Sequence, residues 1–283
     1  MKKLVVVLLT VVVLLSACSK SKTEHVMQQD GSGGGHGTHA GMGHEAAEKS
    51  STSDTQTQVD WKLSAEKPEA KQQITISLQV NDQKGKPLQQ FDINHEKKMH
   101  LIIVSKDLSY FDHIHPEYKG NGSFEVTASF PAGGDYKLIA DFIPAGLGAV
   151  TQTHWVQVQG AASPSVPIQP DTAMTKTIDG KSITLSAESL TAGKETLLTF
   201  HMEEAGTKKP ITNLQPYLGA VGHVVILSAD TEQYLHVHPM DEKAAGPDAQ
   251  FMTTFPKAGT YKIWGQFQRD GKVFIVAYVV QVK

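Results

Sequence analysis

The sequence predicts an all-β chain built as two tandem β-sandwich domains. Three observations carry this. Ile74, Ile76, Leu78 and Val80 alternate with Thr75, Ser77 and Gln79, and Leu198, Phe200 and Met202 do the same, the period of a strand with one buried face. Gly-containing turns such as Lys84-Gly85-Lys86-Pro87, Gly120-Asn121-Gly122 and Asp270-Gly271 interrupt at short intervals, with no helix-period stretch between them. The chain also repeats itself. Tyr110-Phe111-Asp112-His113-Ile114-His115-Pro116 returns as Gln233-Tyr234-Leu235-His236-Val237-His238-Pro239, and Phe130-Pro131 before a Gly turn returns as Phe255-Pro256, at an offset of 123 that rises to 125.

Taken in order, residues 1–17 read as a lipoprotein signal peptide. Lys2 and Lys3 precede an apolar stretch from Leu4 to Leu15, shorter than the about 20 residues a spanning helix needs. Leu15-Ser16-Ala17-Cys18 resembles the bacterial lipobox, which implies acylation of Cys18 and a chain held by lipid at the extracytoplasmic face of the cell membrane. Cys18 is the sole cysteine, so disulfides and thiolate metal sites are excluded from the rest of the chain.

Residues 18–57 form a polar, disordered linker that lacks the apolar side chains to offset ordering entropy. It contains His36, His39, Met42 and His44 in a Gly-rich run, which reads either as weak metal capture or as a plain spacer. Residues 58–160 and 171–283 are the two repeats, joined by a Pro-rich spacer over 161–170. About seven short strands per repeat argue for immunoglobulin-like or cupredoxin-like sandwiches. The formal net charge of -3 gives no support to nucleic-acid binding.

Three histidines per repeat fall at equivalent places: His100, His113 and His115, then His223, His236 and His238. Residues i and i+2 of a strand share a face, so each His-x-His pair can converge on one ion. The twelve residues before it allow a strand, a turn and a return that bring the first histidine alongside. The expectation is one three-imidazole centre in each repeat, suited to copper or zinc. After the shared proline the repeats differ, with Glu117 in one and Met240 in the other, both possible additional ligands. The competing reading is structural: histidines at a strand end that bond to backbone and hold no metal. His95, beside Glu96 and Lys97, reads as a solvated loop residue.

Gly85-Lys86-Pro87, His100 before an apolar strand, His113-Ile114-His115-Pro116 and Phe130-Pro131 together resemble the YtkA-like domain lipoproteins of Gram-positive bacteria, here in two copies. The resemblance implies a secreted or lipid-anchored all-β protein. A more distant similarity is to cupredoxin-like periplasmic copper chaperones, whose metal motif is richer in Met. Their ligands are therefore not carried across.

The expected function is a membrane-anchored metal-binding lipoprotein, with copper ahead of zinc, acting as acceptor or chaperone for a membrane metal-handling protein. The alternative is an adhesion or accessory module for a protein or cell-wall ligand. An enzyme is not expected: no general base sits at a recognisable spacing, and the chain has no GxSxG elbow and no phosphate loop.

Overall fold

The computed structural model describes residues 56–283. The first repeat holds β1 (Thr57–Leu63), β2 (Gln73–Asp82), β3 (Met99–Ser105), β4 (Phe111–Ile114), β5 (Glu117–Gly120), β6 (Ser123–Ser129), β7 (Gly134–Phe142) and β8 (Val150–Val158). The second holds β9 (Thr175–Ile178), β10 (Lys181–Ala187), β11 (Glu195–Glu204), β12 (His223–Ser228), β13 (Tyr234–Val237), β14 (Asp248–Thr254), β15 (Gly259–Arg269) and β16 (Lys272–Val282). Each repeat is a sandwich of two four-stranded antiparallel sheets. They run β1-β2-β6-β5 over β4-β3-β7-β8, and β14-β11-β10-β9 over β13-β12-β15-β16. The described residues are therefore all-β, two immunoglobulin-like sandwiches in tandem. None of their elements is a helix long and apolar enough to cross a membrane.

The alternating strands do what their period dictates. Ile74, Ile76, Leu78 and Val80 of β2 point into the first core with Phe124, Phe130 and Phe142. Leu198, Phe200 and Met202 of β11 point into the second with Phe251, Phe255 and Phe267. The paired tyrosines turn equivalent corners: the Tyr136 hydroxyl donates to Ala132 O at 3.0 Å and the Tyr261 hydroxyl to Lys257 O at 2.9 Å.

Three central strands follow a different rule. β3 and β12 are buried along almost their whole length, and β7 nearly so. A strand covered on both faces reads as a continuous apolar run, as Leu101-Ile102-Ile103-Val104 and Val224-Val225-Ile226-Leu227 do. The second cover is the other repeat. Ile102, Val104, Leu108 and Ile139 of the first pack against Val225, Leu227 and Trp264 of the second in a third apolar core. Phe111 stacks on Trp264 with ring centroids 4.8 Å apart.

The contacts across this core are reciprocal. Lys137 Nζ donates to Thr231 O at 2.6 Å, and its counterpart Lys262 Nζ donates to Leu108 O at 2.7 Å. Leu108 and Thr231 are themselves equivalent positions, both at positive φ. The two repeats thus meet as an isologous pair within one chain, like surface on like surface. The spacer is tied at both ends: Gly133 N donates to Ala161 O, and Asp171 N to Val279 O.

Candidate metal centre

At one end of the third core the imidazoles of both repeats gather. Each arrives by the local logic of its strand. His100 is the second residue of β3 and His223 the first of β12, and they face Asp141 and Gln266 across the ladder. His113 and His236 lie on β4 and β13, opposite Ile102 and Val225, whose side chains enter the third core.

The expected grouping was one set of three per repeat, and the structure groups them differently. Among the described residues, the ligand-capable set whose atoms lie within 4.8 Å of one another is His100, His113 and His236, two from the first repeat and one from the second. The physical reason is the isologous contact. β4 and β13 sit on the covered faces of their sandwiches, so the side chain at the first position of each His-x-His pair projects toward the partner repeat. His115 stays close, its ring 5.0 Å from His100 and 4.7 Å from His113. His223 lies 5.8 Å from His236, and His238 lies 5.3 Å from it.

Hydrogen bonds set the direction of each ring. His100 Nε2–H donates to Asn94 O at 3.0 Å, and His223 Nε2–H donates to Tyr217 O, also at 3.0 Å. That fixes the proton on Nε2 and leaves Nδ1 bare in both. His236 Nδ1–H donates to Asp141 Oδ2 at 2.9 Å, and the Tyr234 hydroxyl donates to the same oxygen at 3.1 Å. A carboxylate behind an imidazole in this way orients the ring and raises the basicity of its far nitrogen. That nitrogen, His236 Nε2, is buried with no hydrogen-bond partner, as are His115 Nε2 and His223 Nδ1. Buried polar atoms are paired as a rule, so three orphaned imidazole nitrogens in one place demand an account.

His113 is held differently. Its Nε2 stands 2.9 Å from His100 Nδ1 and, with that atom bare, donates to it. Its Nδ1 then accepts from Gln266 Nε2 at 3.1 Å. Gln266 Oε1 is also within reach of Nδ1, at 3.2 Å. An amide that offers both a donor and an acceptor can support either tautomer. If His113 Nε2 gives up its proton to become a ligand, Nδ1–H can donate to Gln266 Oε1 without any partner moving.

Burial and repulsion among the rings keep the cluster neutral. Burial first, then the His236 and His100 charges, push His113 well below the ordinary imidazole range. Burial and then His100 and His238 do the same to His236. His223 is held at about 2, and His115 at about 3, chiefly by burial. Burial raises Asp141 above the ordinary carboxylate range, its side chain being only 9% exposed. Neutral imidazoles with lone pairs turned inward are the form that binds transition metals. Ligands about 2.0–2.1 Å from a tetrahedral ion stand about 3.3 Å apart, so modest ring motion suffices to close the set.

The remaining expected residues fall elsewhere. Glu117 is exposed, pairs with Lys119 and begins β5 of the outer sheet. Met240 is 47% exposed. The chain leaves the inner sheet at the proline before each, and this carries both side chains away from the cluster. His36, His39, Met42, His44 and Cys18 lie outside the described residues. His95, expected to be solvated, is half-buried and packs on the second repeat, its ring 4.7 Å from His223 and 4.0 Å from His238. No signal in its loop marked it, because its neighbours come from the other repeat. The same is true of Asp141 and Gln266.

A family model described as a domain of unknown function, DUF8832, matches residues 52–160 and again 176–283. The chain belongs to this family. Two copies of the DUF8832 domain thus coincide with the two sandwiches. No curated protein matches the chain. Among solved structures it is similar to the Escherichia coli adhesin FdeC, with 18% identity over 81% of this chain and 64% of that one, at a TM-score of 0.27. The bacterial integrin-binding protein invasin matches at 14% identity over 80% of this chain and 39% of that one, with a TM-score of 0.24. A two-domain fibronectin type III segment of chicken tenascin gives 12%, 79%, 98% and 0.23 in the same order. The chain thus spans less than two thirds of either bacterial protein's length, and scores this low carry no inference about activity.

Proposed function

We propose that this DUF8832 protein binds one transition-metal ion, copper ahead of zinc, in a histidine centre shared by its two domains. We further propose that it does so at the outer face of the membrane through a lipid on Cys18. The supporting observation is the trio of buried, unpartnered nitrogens, His115 Nε2, His223 Nδ1 and His236 Nε2, beside the converging His100, His113 and His236. The centre would be built from His100 Nδ1, His113 Nε2 and His236 Nε2, with His115 Nε2 as a further ligand. Nitrogen-only donors suit cupric copper and zinc, and the depth of the site suits holding and handing over an ion. A membrane metal-handling protein would be the donor or recipient.

The test is titration of the chain from residue 19 onward, which carries no lipid, with Cu(II), Cu(I) and Zn(II). One tight equivalent per chain is expected, and joint substitution of His113 and His236 by Ala should remove it. Two independent tight sites would restore the one-per-repeat arrangement. A melting temperature indifferent to all three ions would remove the reading.

A second reading, a binding module for a protein or wall polymer, draws on another surface. Trp155, 44% exposed, lines an open cleft of about 410 Å³ with Leu63, Glu66, Lys67 and His154. Loss of partner binding in a Trp155→Ala protein, unaffected by chelators, would favour it.

A further inference from the structure

Beside the buried centre, and on the second repeat's side of it, lies a second set of imidazoles. His95 and His238 have ring centroids 4.0 Å apart, and His95 stands 4.7 Å from His223 and 6.2 Å from His236. These rings connect the enclosed histidines to solvent. His95 and His238 line an open cleft of about 410 Å³ with Glu96, Glu242, Leu218 and Gly219. His238 is exposed, whereas His236, two residues earlier, has a side chain only 5% exposed. Glu242 is close enough for its charge to act on His95. Gly219 turns the chain at the cleft wall with a φ of 77°, the left-handed region a glycine adopts without strain.

We propose that His95 and His238, with Glu242 at the cleft wall, form a second, outer cation site through which the buried centre is loaded and unloaded. This rests on the metal-binding reading above and goes beyond it by assigning the route. A buried nitrogen cage cannot exchange a hydrated dication directly, because the ion must shed water one ligand at a time. Carboxylates at the mouth attract the hydrated cation and raise its local concentration. His95 and His238 replace the first waters. His223, whose buried Nδ1 has no partner, and then His236 Nε2 lie next on the way in. The outer site has fewer enclosed nitrogens and so holds the ion more weakly than the inner one.

The test measures rates and stoichiometry separately on the lipid-free chain, with Zn(II) alone. Loading is followed by stopped-flow and unloading by transfer to a chromophoric chelator. The expected result for the His95→Ala/His238→Ala protein is loss of a weak second equivalent. Loading and unloading are both at least tenfold slower, with the tight equivalent kept. Glu96→Gln/Glu242→Gln, whose side chains are at the surface, should slow loading severalfold and flatten its dependence on ionic strength. Unchanged rates in both variants would overturn the proposal, since the ion would then enter elsewhere. Loss of the tight equivalent in the histidine variant, with its fold intact by circular dichroism, would also overturn it, since the two rings would belong to the inner centre. If the unaltered chain takes up no Zn(II) or copper, the metal reading itself fails, and that outcome is distinct from either.

Discussion

Asp141 in the first repeat and Gln266 in the second occupy the same place, opposite the first histidine of their own inner sheet. Each reaches across the interface to a histidine of the other repeat, Asp141 to His236 and Gln266 to His113. A carboxylate holds one tautomer of its ring, whereas an amide can serve two. The loop before β3 shows the same divergence, since His95 stands where the second repeat has Leu218. The lysine contacts, by contrast, are preserved on both sides. What the difference teaches is that the packing surface kept its two-fold form while the chemistry at its end lost it. A symmetric interface places equivalent histidines on opposite sides of one axis, and two equal ions there would repel. Unequal supports allow a single centre to be drawn to one side.

The comparison can be broken or sharpened experimentally. The largest effect is expected from Trp264→Ala, at the position equivalent to Ile139 and the bulkiest side chain of the third core. It should cost about 3–5 kcal/mol in urea unfolding, with Ile139→Ala about 2–4 kcal/mol. A loss under 1 kcal/mol for Trp264 would mean that the repeats are not held together by this core.

Acid should come next. Burial and mutual repulsion depress His113, His236, His223 and His115 in the fold. A folded pKa below the unfolded value of about 6.5 means that the unfolded chain binds more protons as the pH drops. The ion-free protein therefore has its full stability above about pH 6.5 and loses it progressively below. A thermal midpoint that stays level from pH 7.5 to 5 would contradict a neutral buried cluster.

Asp141→Gln, which makes the two repeats alike, should weaken metal binding about 10- to 100-fold. Gln266→Leu should weaken it less, because a neutral amide contributes less to ring basicity than a carboxylate. Competition with a chelator of known affinity measures both, and equal losses would remove the asymmetry. The smallest effect is expected at the lysine pair common to both repeats. Lys137→Met and Lys262→Met should each cost about 1–2 kcal/mol and by similar amounts, since each leaves a backbone carbonyl without its donor. Unequal costs would show that the two-fold packing is less regular than its geometry.

Much of the fold was legible in the chain. The period-two runs at Ile74–Val80 and Leu198–Met202 named the strands and their buried faces, and the repeat named the domains. The six motif histidines could be singled out because they recur at equivalent places. Their supports were not legible. His95 reads as one more polar loop residue, and nothing in the sequence singles out Asp141, because nothing within either repeat needs them there. One clue was present in the chain: Leu101–Val104 and Val224–Leu227 do not alternate. A sandwich with one wet face has no use for such runs.

The sequence by itself determined the two sandwiches, through alternation that leaves a strand one stable way to face its core, and the equivalence of the histidines, through duplication. Only the tertiary structure decided which imidazoles come together. That choice depends on how two copies of one apolar surface seat against each other, through contacts between residues 94 to 154 positions apart that no local period encodes.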